Sequence, residues 1–246
     1  MKKIMYHLNL LLLGSILTSP VQASALQEYK SNFVLSSYAK TKYPMVFVHG
    51  FGLGFNRIGT DHIGLDYWYQ IPQDLSRYGA RVFSAELSAV ASNELRGEQL
   101  LMQIDEILAL TGQKKVNLIG HSQGGPTIQY IEGVAPHKAA SLTAIAGAMQ
   151  GTPFFVNASQ TPLLEPFIHA IGTILGHSMN LVTANQYPVS IIEALQAMNP
   201  EAIQAFNVKY GSSAIPQNCQ TQGSKLTSNG IYHYSWMGNR LKLQGL

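Results

Sequence analysis

Val116-Asn117-Leu118-Ile119-Gly120-His121-Ser122-Gln123-Gly124-Gly125-Pro126-Thr127 is the stretch on which the fold turns. Its first four residues read as a short strand, its centre is a G-x-S-x-G pentapeptide from Gly120 to Gly124, and the run from Gly125 to Val134 is compatible with a helix. A serine at a strand-to-helix turn is the pattern of a nucleophile elbow, which lifts the hydroxyl above the edge of a parallel sheet. Glycines are needed where the turn brings backbone against backbone, because a Cβ would clash there. The competing reading is a buried serine in a glycine-rich turn.

Outward from the elbow, strand and helix patterns alternate. Met45 to Val48 is a continuous apolar run, as in a strand covered on both faces. Arg81 to Leu87 reads as a second strand, Val116 to Ile119 as a third, Ala139 to Ala146 as a fourth and Ile231 to Trp236 as the last. Leu100, Leu101, Ile104, Ile107 and Leu108 recur at helical spacing, with Asn93 as a candidate N-cap and Gly112 just past the end. Strands alternating with helices specify an α/β architecture around a parallel sheet. From Gly151 to about Lys209 the pattern is wholly helical, with no Lys or Arg as far as Ala205 and a break expected near Asn199-Pro200. This segment, about 151–209, is either a core element or a lid over an apolar cleft.

Composition narrows the class. Of 246 residues 46% are hydrophobic and 12% charged, against roughly a quarter charged in an ordinary globular chain, so apolar area is expected at the surface or under a movable segment. The net charge of +3 is scattered. No basic run marks a nucleic-acid surface, and nucleic acid is excluded as a partner. Lys2 and Lys3, the apolar stretch Leu8 to Leu17 and Ala23-Ser24-Ala25 form a secretory leader too short to span a bilayer. Residues 1–25 are therefore expected to be a signal peptide, with an uncleaved anchor as the alternative, and 26–246 a single domain. Cys219 is the only cysteine, which is odd for an exported chain.

The chemistry begins at His49-Gly50-Phe51, the end of the first long strand. An acyl transfer needs two backbone N–H donors for the developing oxyanion, one after the nucleophile and one from this loop. Those are Gln123 and Phe51, with Ser122 as nucleophile. The acid and base of a triad would follow in the order Asp or Glu, then His. After Ser122 there is no aspartate, and the glutamates are Glu132, Glu165, Glu193 and Glu201. Glu132 is expected to face away from the site on the elbow helix, and the other three to lie on solvated helix faces. His137 suits a helix end, His169 and His177 fall in the helical segment, and His233 is explained by strand alternation. His49 and His121 read as packing residues. No base is identifiable.

Four runs together, Tyr43 to Gly50, Asp66-Tyr67-Trp68-Tyr69 with Ile71-Pro72, Glu94 to Leu101 and Val116 to Thr127, resemble the secreted bacterial triacylglycerol lipases of the Pseudomonas and Burkholderia type. The likeness is strong from Tyr43 to about Gly147, weakens through the helical segment and returns at Phe206 to Tyr210 and Ile231 to Trp236. It implies an α/β-hydrolase parallel sheet with a helical lid, a structural calcium ion, one disulfide and a membrane-anchored lipase foldase as partner. It also implies Ser122 as nucleophile, Phe51 and Gln123 as the oxyanion hole, and long-chain acyl esters at a lipid interface as substrates. In that family the acid, the catalytic histidine, the calcium ligands and the second cysteine, to which Cys219 would pair, follow the strand matching Ile231 to Trp236. Their joint absence here, and the departure of Arg240 to Leu246 from the family pattern, lead us to expect a C-terminally truncated, inactive hydrolase that lacks the last strand and covering helix and binds no calcium of its own. The competing readings are a non-catalytic protein that binds lipid or foldase, and a short esterase with an unconventional base.

Overall fold

The computed structural model describes residues 26–52, 54, 56–59, 64–153, 173, 177–178, 187–216, 218 and 221–238. The expected leader, Cys219, Glu165, His169, Arg240 to Leu246 and most of the segment 154–186 lie outside the described residues.

Eight strands and five α-helices are described: β1 (Gln27–Tyr29), β2 (Met45–Val48), β3 (Arg57–Gly59), β4 (Gly64–Asp66), α1 (Ile71–Arg77), β5 (Val82–Ala85), α2 (Asn93–Thr111), β6 (Val116–His121), α3 (Gly124–Val134), β7 (Ala139–Ile145), α4 (Ile191–Gln196), α5 (Pro200–Tyr210) and β8 (Tyr232–Trp236). Six strands form one sheet in the order β1-β5-β2-β6-β7-β8, and β3 pairs with β4 as a separate hairpin. Only β1 runs antiparallel in the main sheet. The five sequence-expected strands are all present, shortened or lengthened by a few residues.

One face of the sheet buries Val46, Val48, Phe83, Leu118 and Leu142 against α2, α3 and α5. The periodicity of α2 does what it promised: Leu100, Ile104 and Ile107 are fully buried, and Leu101 and Leu108 pack at the margin. Each such burial contributes roughly 1.5–3 kcal/mol relative to an exposed side chain. The cap expectation is corrected. Asn93 is the first helical residue, and Ser92 is the N-cap, its hydroxyl accepting from the Leu95 N–H. Asn93 instead donates its amide to the Ala197 carbonyl. Gly112 ends the helix at φ 66, a left-handed conformation that glycine adopts without penalty.

The helical stretch after residue 187 breaks where expected, between α4 and α5. Asn199 caps α5 by accepting from the Glu201 N–H, with Pro200 in the first turn. Ile203, Phe206 and Tyr210 of α5 are buried, and the Tyr210 ring packs at a tilt against Tyr130 of α3, centroids 4.8 Å apart. On the opposite face, Tyr29, Phe47, Trp68 and Val82 form a second core under α1. That cover reaches β1, β5 and β2. Over β6, β7 and β8 the same face forms an open trough of about 570 Å³ floored by Met45, Asn117, Ile119, Ser141, Thr143 and Tyr234.

Candidate active site

Ser122 follows β6 directly and has φ 54, one of three described non-glycine residues with a positive φ. A serine held there costs on the order of 1–3 kcal/mol, which surrounding bonds must offset. Its N–H donates to the Ile145 carbonyl at 3.0 Å, and its carbonyl accepts from Gly125 and Ala148 at 3.0 and 3.2 Å. The glycines of the turn are sterically required. A Cβ on Gly120 would overlap the Gly124 carbonyl, and one on Gly124 would overlap the Val48 carbonyl. A Cβ on Gly50 would stand 2.8 Å from the Ser122 Cβ. The loop after β2 and the elbow thus touch at a point that only glycine permits. Ser122 is half-buried, and its Oγ makes no hydrogen bond among the described residues.

Gln123 is fully buried. Its side-chain amide donates to the Ala91 carbonyl at 2.8 Å and to Asn93 Oδ1 at 3.2 Å, so the side chain is committed away from the serine. Its backbone N–H makes no hydrogen bond among the described residues. Phe51 packs its ring against Val90, Ile191, Ala194 and Leu195, which anchors the loop after β2 to α4.

Beneath these residues lies a buried polar network that the sequence did not disclose. Arg96 of α2 has no exposed surface and donates to the His49 carbonyl at 2.6 Å, to the Ser88 carbonyl and to Thr127 Oγ1 at 3.3 Å. Burial lowers its pKa to about 9. The Leu87 N–H donates to His49 Nε2 at 2.9 Å. His49 Nδ1 therefore carries the hydrogen and donates to the Gly50 carbonyl at 2.9 Å. Burial first, and then the nearby Arg96 charge, push His49 down to about 3. On the other side, the Gly50 N–H donates to Tyr67 Oη at 2.8 Å, and Tyr67 Oη lies 2.6 Å from His121 Nδ1. Burial raises Tyr67 and lowers His121.

A carboxylate and an imidazole do meet in the structure, but elsewhere. Glu132 Oε2 lies 3.0 Å from His233 Nε2 and accepts from Ser212 Oγ at 3.1 Å, with Glu132 buried and His233 and Ser212 half-buried. Strand alternation alone did not reveal this pairing, whose partners are a hundred residues apart in sequence. His233 is level with Leu142 on β7 and hence with Leu118 on β6. That is four residues before Ser122, about 13 Å along the strands at 3.3 Å per residue, and two strands across. It is no base for Ser122. His137 sits in the turn Pro136–Lys138 that precedes β7, His177 is exposed, and Glu193 and Glu201 are exposed on α4 and α5. Among the described residues no three His, Cys, Asp or Glu side chains come together.

Residues 43–234, which include the strained serine between a strand and a helix, match a family model described as alpha/beta hydrolase fold. The chain is 36% identical over 250 residues to a triacylglycerol lipase of Vibrio cholerae, covering 97% of this chain and 73% of the relative. The chain belongs to the bacterial triacylglycerol lipases of the α/β-hydrolase family. It is also 35% identical over 225 residues to the triacylglycerol lipase of Burkholderia plantarii, covering 84% of this chain and 60% of that protein. It thus spans between three fifths and three quarters of these two lipases. The crystal structure of the mature Bacillus licheniformis lipase BlEst2 superposes with a TM-score of 0.54 at 16% identity, covering 85% of this chain and 70% of that one, a likeness of fold.

Proposed function

We propose that this polypeptide is a lipase-type carboxylic ester hydrolase whose nucleophile is Ser122 and whose oxyanion donors are the N–H groups of Phe51 and Gln123. The observation that carries the reading is the positive φ of Ser122, held beside Gly50 with its Oγ uncommitted. Attack by Oγ on an acyl carbon would give a tetrahedral oxyanion, and two preorganised N–H donors would stabilise it. Arg96 and His49 act on the first donor indirectly, by holding the His49 and Gly50 carbonyls so that the Phe51 N–H is aimed before substrate arrives. A long-chain ester at a lipid interface enters this reading as substrate through the likeness to triacylglycerol lipases.

A slow rate belongs to the same reading. Since no carboxylate-braced imidazole reaches Ser122 among the described residues, the 246-residue polypeptide should acylate slowly and turn over negligibly. An oxyanion hole and binding can still leave a residual acceleration of roughly 10³–10⁴ when triad members are missing. Export through the periplasm and engagement of a lipase foldase belong to this reading through the likeness to secreted lipases. The test is covalent: a long-chain alkyl fluorophosphonate should label the chain once, on the peptide containing Ser122, and Ser122→Ala should remove the label. A label retained in Ser122→Ala would overturn the assignment, and a chain that captures foldase without ever labelling would be a binding remnant instead.

A further inference from the structure

Lysines that are scattered in the sequence gather at one end of the sheet. The parallel strands β2, β5 and β6 start there level with one another, since Met45 pairs with Val82 on one side and with Asn117 on the other. Lys40, Lys42, Arg77, Arg81, Lys114 and Lys115 all stand in the last few residues before those starts. Lys42 and Lys115 line a common trough that no acidic residue lines. Carboxylates neutralise only part of this charge. Glu28 pairs with Lys30 and Arg81, and Asp74 with Arg77, whereas Lys40, Lys42, Lys114 and Lys115 make no ion pair among the described residues.

The same end carries bare apolar side chains. Phe33, Val34 and Leu35 are 60%, 62% and 60% exposed, and Tyr38 is 91% exposed. A single exposed apolar residue is ordinary, but three in succession beside an uncovered tyrosine make a patch that calls for a partner. The segment is held in place. The Ser31 N–H donates to Ser76 Oγ at 3.0 Å, the Leu35 N–H to the Arg77 carbonyl at 2.8 Å and the Ala39 N–H to the Tyr78 carbonyl at 2.9 Å. These bonds tie it to the end of α1, and Phe33 shares a shallow pocket there with Lys30 and Arg77.

We propose that this end of the sheet docks the protein on an anionic lipid bilayer, with Phe33, Val34, Leu35 and Tyr38 entering the interface and the four unpaired lysines meeting lipid phosphates. Apolar and aromatic side chains settle at the headgroup boundary, and cations beside them are drawn to anionic lipid, so the two signals reinforce one another. A second copy of the chain suits the patch less well, because two-fold pairing sets like charges against each other. Ser122 lies at the other end of the sheet, seven residues beyond Lys115 on β6 and so about 23 Å away at 3.3 Å per residue. The contact is therefore a tether that leaves the serine facing away from the bilayer. It stands whether or not Ser122 is the nucleophile.

The test is co-sedimentation with vesicles of phosphatidylcholine alone and of phosphatidylcholine with about a third phosphatidylglycerol. It is run on the 246-residue chain and on the chain from Leu26 onward, which separates the patch from the apolar stretch Leu8 to Leu17. Both chains should bind the anionic vesicles at least about tenfold more tightly, and lose that preference in about 1 M salt, where screening acts within about 3 Å. Lys40→Glu with Lys42→Glu, and Phe33→Ser with Leu35→Ser, should each weaken binding by roughly tenfold or more with the thermal midpoint unchanged. Orientation has its own readout. Trp236 is level with Ile145, whose carbonyl accepts the Ser122 N–H, so it reports the serine end, and Tyr38→Trp reports the patch. Brominated lipid should quench the tryptophan of Tyr38→Trp and spare Trp236. Quenching of Trp236 instead, or equal binding to the two kinds of vesicle, would overturn the proposal. So would wild-type binding by Phe33→Ser with Leu35→Ser, the result for a purely ionic site that a soluble acidic protein fits. Fluorophosphonate labelling of the bound chain is scored separately, since its absence strikes the nucleophile and leaves the tether.

Discussion

Arg96 is a guanidinium with no exposed surface and, among the described residues, no carboxylate paired with it. Its bonds go to two carbonyls and a hydroxyl, so its worth lies in satisfying acceptors that would otherwise be buried and bare. Arg96→Met should destabilise the chain by about 3 kcal/mol or more, since each stranded acceptor costs about 1–3 kcal/mol, read as a fall in the urea midpoint. His49 sets a pH dependence. Protonating it would place an Nε2 hydrogen against the Leu87 N–H, two donors face to face. Its folded pKa, about 3, lies below the ordinary value of 6.5. Below 6.5 the unfolded chain binds the extra proton, so stability is full above that pH and falls progressively toward pH 3. Urea midpoints across pH 3–8 should show this slope in the wild type and a shallower one in His49→Gln. These residues were visible in the sequence only as letters within motifs. Histidine, arginine and tyrosine carry no periodicity, and their partners lie 38, 47 and 54 positions away.

The elbow is where local sequence and structure agree most closely, because a short turn between a strand and a helix is specified by steric limits that glycine spacing displays. Gly124→Ala should prevent folding, since its Cβ would overlap the Val48 carbonyl, whereas Gly52→Ala, with nothing within 4 Å but φ +83, should cost only about 1 kcal/mol; thermal melts separate the two. β2, α2, the elbow helix α3 and the break before α5 were legible for similar reasons: an unbroken apolar run, a 3.6-residue period, and an Asn-Pro cap. β1 and α1 were not. β1 is a three-residue strand defined by its antiparallel pairing with β5. α1 has seven residues, too few for a period to show, and only Pro72 and Gly79 mark its ends. The cap of α2 was misplaced by one residue because Ser92 and Asn93 are both favoured caps, and the choice was made by the Ala197 carbonyl that holds Asn93.

At the scale of the whole molecule β8 is, among the described residues, the last strand of the sheet, and its outer edge is shielded there over half its length. His233 N–H donates to the Lys225 carbonyl and Leu226 bridges Tyr232. Beyond that point Trp236 is 68% and Met237 81% exposed, and an apolar strand end of this kind pairs with other chains. Concentration-dependent association is expected in sedimentation velocity, and Trp236→Lys should reduce it; a monomer at every concentration would count against an active edge. The proposed chemistry is likewise divided across the molecule: Ser122 and Gln123 follow β6 and Phe51 follows β2, whereas the Glu132–His233 pair lies about four residues lower along the strands. The most direct measurement is steady-state hydrolysis of a long-chain p-nitrophenyl ester by the purified 246-residue polypeptide and by Ser122→Ala. Expected is a faint turnover, abolished by the substitution and orders of magnitude below the roughly 10 s⁻¹ of a median enzyme. Turnover near that median, or a rate unchanged by Ser122→Ala, would contradict it.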